Sequence, residues 1–374
     1  MPAAVFRYIQ TAPTIKRPMK SMIQIPPGFF SLRRAIRLSA LLAAALSLPL
    51  LAAAQDLAQL YGVHGVSPLA VRQGILGTCF FHASIAEVAK VAPETLKGDI
   101  LPNPGGGYRV HFSQGPEEIV FPEDVEYGRT HSYDRSEGTW VLVLMRGYAQ
   151  RVLRLSLVKA INQSTLIPFF VKPLALSWLD QSGPLLVAYD RAIRSVVKQD
   201  GELDKAGLKL KLGEQLSLIG IPAEQAKELA GFLDEKGFFD AVALTVRQNG
   251  EVFGAYKTLG QGQIPVRVIE AFMGNADAGL VSDRKGVLDQ LRRLHGGGVA
   301  LVAGTRLTVA DPGFEAENKS WWVPSHAYSV LDYDEAAATV TLRNPWGGRP
   351  GPDGIFTLPL AVFYQGYEGY SYSR

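Results

Sequence analysis

The sequence predicts an α+β protein, with helices concentrated early in the chain and strands late. Three observations carry this reading. Cys79–Val91 and Trp140–Leu155 are apolar runs at helical spacing, with Ile85, Val88 and Ala89 available for one face of the first. From Ile264 onward the apolar runs shorten to strand length. Val299–Ala303 is a continuous run, and His326–Tyr333 and Thr339–Asn344 flank the short connection Asp334-Glu335-Ala336-Ala337. Between the two parts, Asp180–Gly262 holds two further helical patterns, Leu185–Val197 and Ala223–Phe238, and reads as a mostly helical insertion.

Hydrophobic residues make up 47% and charged residues 20% of the 374, ordinary values for a globular chain. The formal charge of +3 conceals an asymmetry. Residues 1–54 hold seven Lys/Arg and no Asp/Glu, so the remainder has 31 basic and 35 acidic residues, a net of −4. That mildly acidic body argues against a nucleic-acid partner. Within the first 54 residues, Ser31–Gln55 reads as an export signal. Arg33, Arg34 and Arg37 form the basic region, Leu38–Leu51 the apolar core, and Ala52-Ala53-Ala54 the small-residue cleavage site. The apolar stretch Leu38–Ala54 is 17 residues long and contains Pro49, short for a membrane span. The expectation is a mature chain beginning near Gln55, periplasmic or extracellular, without stable membrane association. Met19 and Met22 are alternative starts. With one cysteine no intramolecular disulfide is possible.

The remainder, 55–374, reads as one catalytic domain in three parts: 55–179, the insertion 180–262, and 263–374. Gln55–Val71 is a lead-in of helical character with Leu57, Leu60 and Tyr61 on its contact face. Gly74 and Gly77 break the chain before Cys79. Pro93–Gly107 is rich in turn residues. Tyr108–Phe112 and Glu118–Phe121 alternate as a hairpin. Glu123–Gly138 is polar and irregular, and the spacing of Glu123, Asp124 and Glu126 fits no metal motif. Val266–Phe272 is a short apolar run in the β-rich part, Ser282–Leu294 a helix, and Asp311–Lys319 a polar loop.

The chemistry-bearing residues start with Cys79, placed in the first turn of its helix. Unpaired amide N–H groups and the helix dipole favour a thiolate there. A lone cysteine is more often a small buried hydrophobe than a nucleophile. Two distant stretches shift that balance: His326-Ala327-Tyr328-Ser329-Val330 supplies a histidine, and Arg343-Asn344-Pro345-Trp346-Gly347 an asparagine. His326 opens one strand and Asn344 closes its neighbour, so an antiparallel pair sets them side by side. Cysteine, histidine and asparagine in that order can divide nucleophile, base and orienting roles. His82, three residues after Cys79, competes for the base role, but its own helix limits its approach to the thiol. His64, His111, His131 and His295 have no supporting constellation. Trp321-Trp322 is a candidate cleft wall or ordinary core. No H-E-x-x-H or phosphate loop occurs, and no cofactor is expected.

Gln73-Gly-x-x-Gly-x-Cys79, His326-Ala-Tyr-Ser-Val330 and Arg343-Asn-Pro-Trp-Gly347, in this order, resemble the catalytic core of calpain-type cysteine peptidases. Trp140–Tyr148 resembles the helix that follows the cysteine helix in that core, and Gly354–Phe363 its closing strand and turn. The resemblance spans about Gln73 to Tyr370, with a poorly matched middle. It implies a papain-like two-lobed fold, a helical lobe carrying Cys79 and a β-rich lobe carrying His326 and Asn344. It also implies an endopeptidase acting on protein or peptide substrates through a thioacyl intermediate. Gln73 would complete an oxyanion hole with the backbone N–H of Cys79, and Trp346 would shield the histidine–asparagine bond. Thr78 stands where the family usually has Asp, and Phe80 where it has Trp. The calcium ligands of animal calpains have no match here, and calcium dependence stays open. An acyl transferase, amidase or deamidase on the same fold, or an inactive binding protein, are the alternatives. The sequence sets no oligomeric state.

Overall fold

The computed structural model describes residues 59–103, 106–163, 192, 195–196, 204–218, 222–235, 255–260, 262–294 and 297–374. The expected export signal, His295 and most of the 180–262 range lie outside them. The described chain is α+β. Helices α1 (Cys79–Val91), α2 (Pro93–Gly98), α3 (Pro122–Thr130) and α4 (Trp140–Gln163) come first, interrupted by strands β1 (Ile100–Pro102), β2 (Tyr108–Val110) and β3 (Glu118–Val120). After α5 (Lys205–Leu218), α6 (Ala223–Glu235), α7 (Ala255–Gly260) and α8 (Pro265–Met273), strands β4 (Ala276–Leu280) to β9 (Tyr367–Ser373) dominate. These are β5 (Leu301–Thr305), β6 (Ala327–Asp334), β7 (Thr339–Arg343) and β8 (Ile355–Pro359), with α9 (Arg284–Leu294), α10 (Pro312–Asn318) and α11 (Leu360–Gly366) between them. Strands β1, β2 and β3 form one antiparallel sheet, and a second, six-stranded sheet runs β4-β9-β5-β6-β7-β8 with every pair antiparallel.

Helix α1 is buried from Phe80 through Ala89. A helix covered on every side belongs in a core rather than on a surface, and α1 packs against α8 and β6. Polar side chains complete the docking. The Ser329 hydroxyl of β6 donates to Ala83 O at 3.0 Å. Lys90 Nζ donates to the carbonyls of Val330 and Leu331, each at 3.1 Å. The fully buried Glu87 pairs with Lys90 at 2.9 Å and accepts from Leu301 N at 3.4 Å.

Several elements depart from the sequence expectation. Glu123–Gly138 is not an irregular loop. It contains α3, whose first turn is fastened by Asp124, which accepts from Phe121 N at 2.9 Å and from Arg146 Nε at 3.0 Å with both side chains fully buried. Glu126 pairs with Arg129 on the surface. Val266–Phe272 lies in a helix, α8, because its buried residues Val268, Ile269, Ala271 and Phe272 share one helical face. Asp311–Lys319 contains α10, capped where Asp311 Oδ1 accepts from Gly313 N at 2.8 Å. Within the expected insertion, α7 contributes Tyr256 and Leu259 to the same apolar cluster as α1 and α4. Among the described residues no helix is long and apolar enough to cross a membrane.

The Glu87 clip carries a pH signature. Burial pushes its carboxyl up to about 7, against the opposing pull of Lys90, the Leu301 amide and Arg343. The unfolded chain releases this proton near the ordinary value of 4.5, so between there and about 7 the native state binds more protons. Stability therefore falls as pH rises through that window and levels off above it. Urea unfolding across this range should show the parent losing up to ~3 kcal/mol relative to Glu87→Gln. Parallel stability curves would contradict the assignment.

Candidate active site

Glycines shape the approach to Cys79. Gly74 lies so close to the backbone of Ser132 and Tyr133 that no Cβ fits, and a Cβ on Gly77 would sit 2.6 Å from the Gly260 carbonyl oxygen. Thr78 precedes α1, and its carbonyl accepts from the N–H groups of Phe81 and His82 at 3.0 Å each. The first N–H groups of a helix have no partner within it. Those of Cys79 and Phe80, with the N–H of Ala327 from β6, are directed at the Cys79 sulfur. Burial is nevertheless the larger influence and pushes the thiol pKa up, while the three amides pull it down.

His326 directly precedes Ala327. Its backbone N–H donates to Thr305 Oγ1 at 2.8 Å, and its carbonyl accepts from Thr305 N at 2.9 Å. The preceding Ser325 adopts a left-handed backbone at φ 50°, which turns the chain into the strand. The ring's Nε2 lies 3.0 Å from Asn344 Oδ1. That oxygen also accepts from Trp346 N at 3.0 Å, and a backbone N–H can only donate. Asn344 therefore presents its oxygen to the ring, Nε2 carries the proton, and Nδ1 is left with its lone pair. The Trp346 ring lies 4.6 Å from the imidazole, centroid to centroid, and the Tyr328 ring meets it edge-on at 4.9 Å. Burial holds the imidazole pKa down to about 4, although the Asn344 hydrogen bond raises it.

Cys79, His326, Gln73 and Trp346 line one cleft of about 770 Å³. Asn344 stands behind His326, buried. Gln73 is also buried. Its backbone N–H donates to Pro345 O at 2.8 Å, its side-chain Nε2 donates to Leu76 O at 2.5 Å, and its Oε1 has no partner among the described residues. Among the described residues, one N–H of that amide stays uncommitted. The five residues expected at the site are thus brought together.

The remaining candidates are engaged elsewhere. His82 is fully buried, does not line the cleft, and has both ring nitrogens engaged elsewhere, so it is no rival base. Trp321 stacks on Phe356 and Tyr367, and Trp322 donates to Gly366 O at 3.0 Å, so both are core. His64 pairs with Glu137, and His131 stacks on Tyr127. Among the described residues no group of His, Cys, Asp and Glu is arranged to hold a metal ion. Sequence spacing gives no signal for the Ala327 N–H, a backbone group, or for Gly260, Gly262 and Ile264, which also line the cleft.

No protein-family profile and no curated protein matches the sequence. Among solved structures the chain is similar to PepW from Lactobacillus rhamnosis HN001, at 13% identity and a TM-score of 0.31, over 82% of this chain and 80% of that one. At that score the likeness assigns neither fold nor activity.

With the thiol raised and the imidazole lowered, the resting pair is uncharged. Alkylation of Cys79 by iodoacetamide should therefore accelerate continuously toward alkaline pH, as thiolate forms. A rate plateau extending from about pH 4 upward would reveal a preformed ion pair and contradict the burial effects.

Proposed function

We propose that the chain is an exported cysteine endopeptidase on a papain-like two-lobed fold, similar to the calpain-type core, with Cys79, His326 and Asn344 as its triad. One observation carries the proposal. The sulfur of the sole cysteine meets the Ala327 N–H, adjacent in sequence to an imidazole whose Nε2 is committed to Asn344. Two apolar clusters support the two-lobed reading: one around α1, α4 and α8, the other around the six-stranded sheet and α9.

In the reaction, the lone pair of His326 Nδ1 takes the thiol proton as the sulfur bonds to the peptide carbonyl carbon. The carbonyl π electrons move to oxygen, where the Cys79 N–H and the uncommitted N–H of Gln73 receive the charge. Collapse expels the amine, which takes the proton from Nδ1. Water then cleaves the thioester with the same nitrogen as base, and the proton returns to sulfur. Among the described residues the cleft is lined by no Asp, Glu, Lys or Arg. This favours an internal peptide bond, since a chain terminus would bring a bare charge. Exposed Ile75 and Ile264 offer apolar contacts for neighbouring substrate side chains.

Digestion of a denatured protein by the mature form tests this, with each variant confirmed folded by circular dichroism. Cys79→Ala should abolish cleavage. His326→Ala should lose at least about 10²–10⁴-fold and Gln73→Ala about 10²–10³-fold in turnover. Asn344→Ala should lose less than His326→Ala, because the imidazole keeps its identity and loses its pose. Cleavage by Cys79→Ala near the parent rate would sink the peptidase reading. Acyl transfer to an added amine without hydrolysis of the denatured protein would favour a transferase.

A further inference from the structure

Behind the cleft wall lies a buried histidine–aspartate pair that the reaction does not use. The His82 ring projects from α1 one turn after Cys79 with no exposure, and the Asp134 carboxylate facing it is 3% exposed. His82 Nδ1 lies 3.0 Å from Thr78 O, and Nε2 lies 3.0 Å from Asp134 Oδ1. A carbonyl oxygen can only accept, and Asp134 Oδ1 already accepts from the Ser136 hydroxyl at 2.6 Å. Nδ1–H therefore donates to Thr78 O, and Nε2 and Asp134 Oδ1 share the second hydrogen bond, so both ring nitrogens are held.

The segment around Asp134 runs along the other side of the same loop. Asp134 forms an antiparallel bridge with Gln73. Ile75 N donates to Ser132 O at 3.0 Å, Arg135 N to Arg72 O at 2.9 Å, and Arg72 N to Ser136 Oγ at 2.8 Å. The pair thus closes a circuit from Gln73, through Asp134 and His82, to Thr78 and the N–H of Cys79. Between the two proposed oxyanion donors the direct chain passes through Gly74 and Gly77, the residue type with the most backbone freedom to lose.

We infer that His82, held by Asp134, is a positioning residue that fixes the Gln73 side chain and the Cys79 N–H at one separation. This rests on the peptidase reading above. The pair touches no reacting atom and acts through the loop it closes.

The test contrasts reactions that need the oxyanion site with one that does not. A peptide aldehyde adds to the thiolate and places its oxyanion between the two donors. Iodoacetamide alkylates sulfur by displacing iodide and forms no oxyanion. The double variant His82→Phe/Asp134→Asn removes the ring and the carboxyl together, so neither is left buried without the other. It should lower kcat on a peptide amide, and affinity for the aldehyde, by about 10–100-fold. KM and the alkylation rate should stay within about twofold. Asp134→Asn alone, whose amide can donate to Nε2 while Nδ1–H keeps Thr78, should recover most of the loss. Unchanged kcat and aldehyde affinity in the double variant would overturn the inference. A parallel fall in alkylation, KM performance and turnover would equally overturn it, as general packing damage. The ¹⁵N spectrum of histidine-labelled parent protein decides the clamp independently of activity. A slowly exchanging Nδ1–H on His82 and a hydrogen-bonded Nε2 are expected, and a ring whose Nδ1 carries no proton or exchanges freely would contradict it. A parent without turnover would sink the peptidase reading while leaving this spectrum to judge the pair.

Discussion

The docking of helix α1 onto strands β5 and β6 is the contact on which the candidate site depends. Cys79 shares a cleft with His326, its sulfur against the Ala327 N–H, because ten consecutive residues of its helix, Phe80 to Ala89, are buried and the helix packs on β6. Apolar burial drives the association but does not set the register, since hydrophobic contact is non-directional. Directional bonds do that: Ser329 to Ala83, Lys90 to two strand carbonyls, and the Leu301 amide to Glu87. Buried polar groups of this kind favour one arrangement by making the alternatives leave them unpaired. The same logic holds the entry loop. Gln73 N bonds Pro345 O, and Arg343 Nη2 bonds Val71 O, so residues flanking Asn344 grip the chain just before the cysteine loop.

Electrostatics at the site is a contest that burial wins. Three amides favour the thiolate, as a helix N-terminus should, yet desolvation of a sulfur between packed elements outweighs them. The imidazole suffers the same penalty in the opposite direction. In the proposed reaction the proton would move in concert with attack, from sulfur to the ring nitrogen that the Asn344 hydrogen bond leaves with its lone pair. The Asn344 oxygen is itself aimed by the Trp346 N–H, so a residue proposed as a shield also orients through its backbone.

Some of this is legible in the sequence because it is local. The hairpin after Asp334 brings the ends of its two strands together, so the closeness of His326 and Asn344 is legible, but the register shift between Val330 and Asp332 and the position of both residues just beyond the strands are not. Helix α1 follows from an uninterrupted apolar run. What spacing hides is long-range. Helix α3 reads as a polar loop because its anchor, Arg146, lies 22 positions away from Asp124. Helix α8 reads as strand-like because its apolar run is as short as a strand, and only the identity of the buried face distinguishes the two. His82 is visible as a histidine near the thiol, but its partner is 52 positions distant, so its engagement with Asp134 cannot be read from α1. The Ala327 N–H carries no side-chain signal at all.

The central claim is that Cys79 is a nucleophile made specific by its surroundings rather than an inert buried thiol. Active-site titration with a peptidyl epoxide, read by intact mass and peptide sequencing, tests it most directly. One adduct per chain, on Cys79, forming far faster than on the unfolded protein and lost in His326→Ala, is the predicted result. No adduct, or a Cys79 adduct formed no faster in the native protein than in the unfolded chain, would contradict the account.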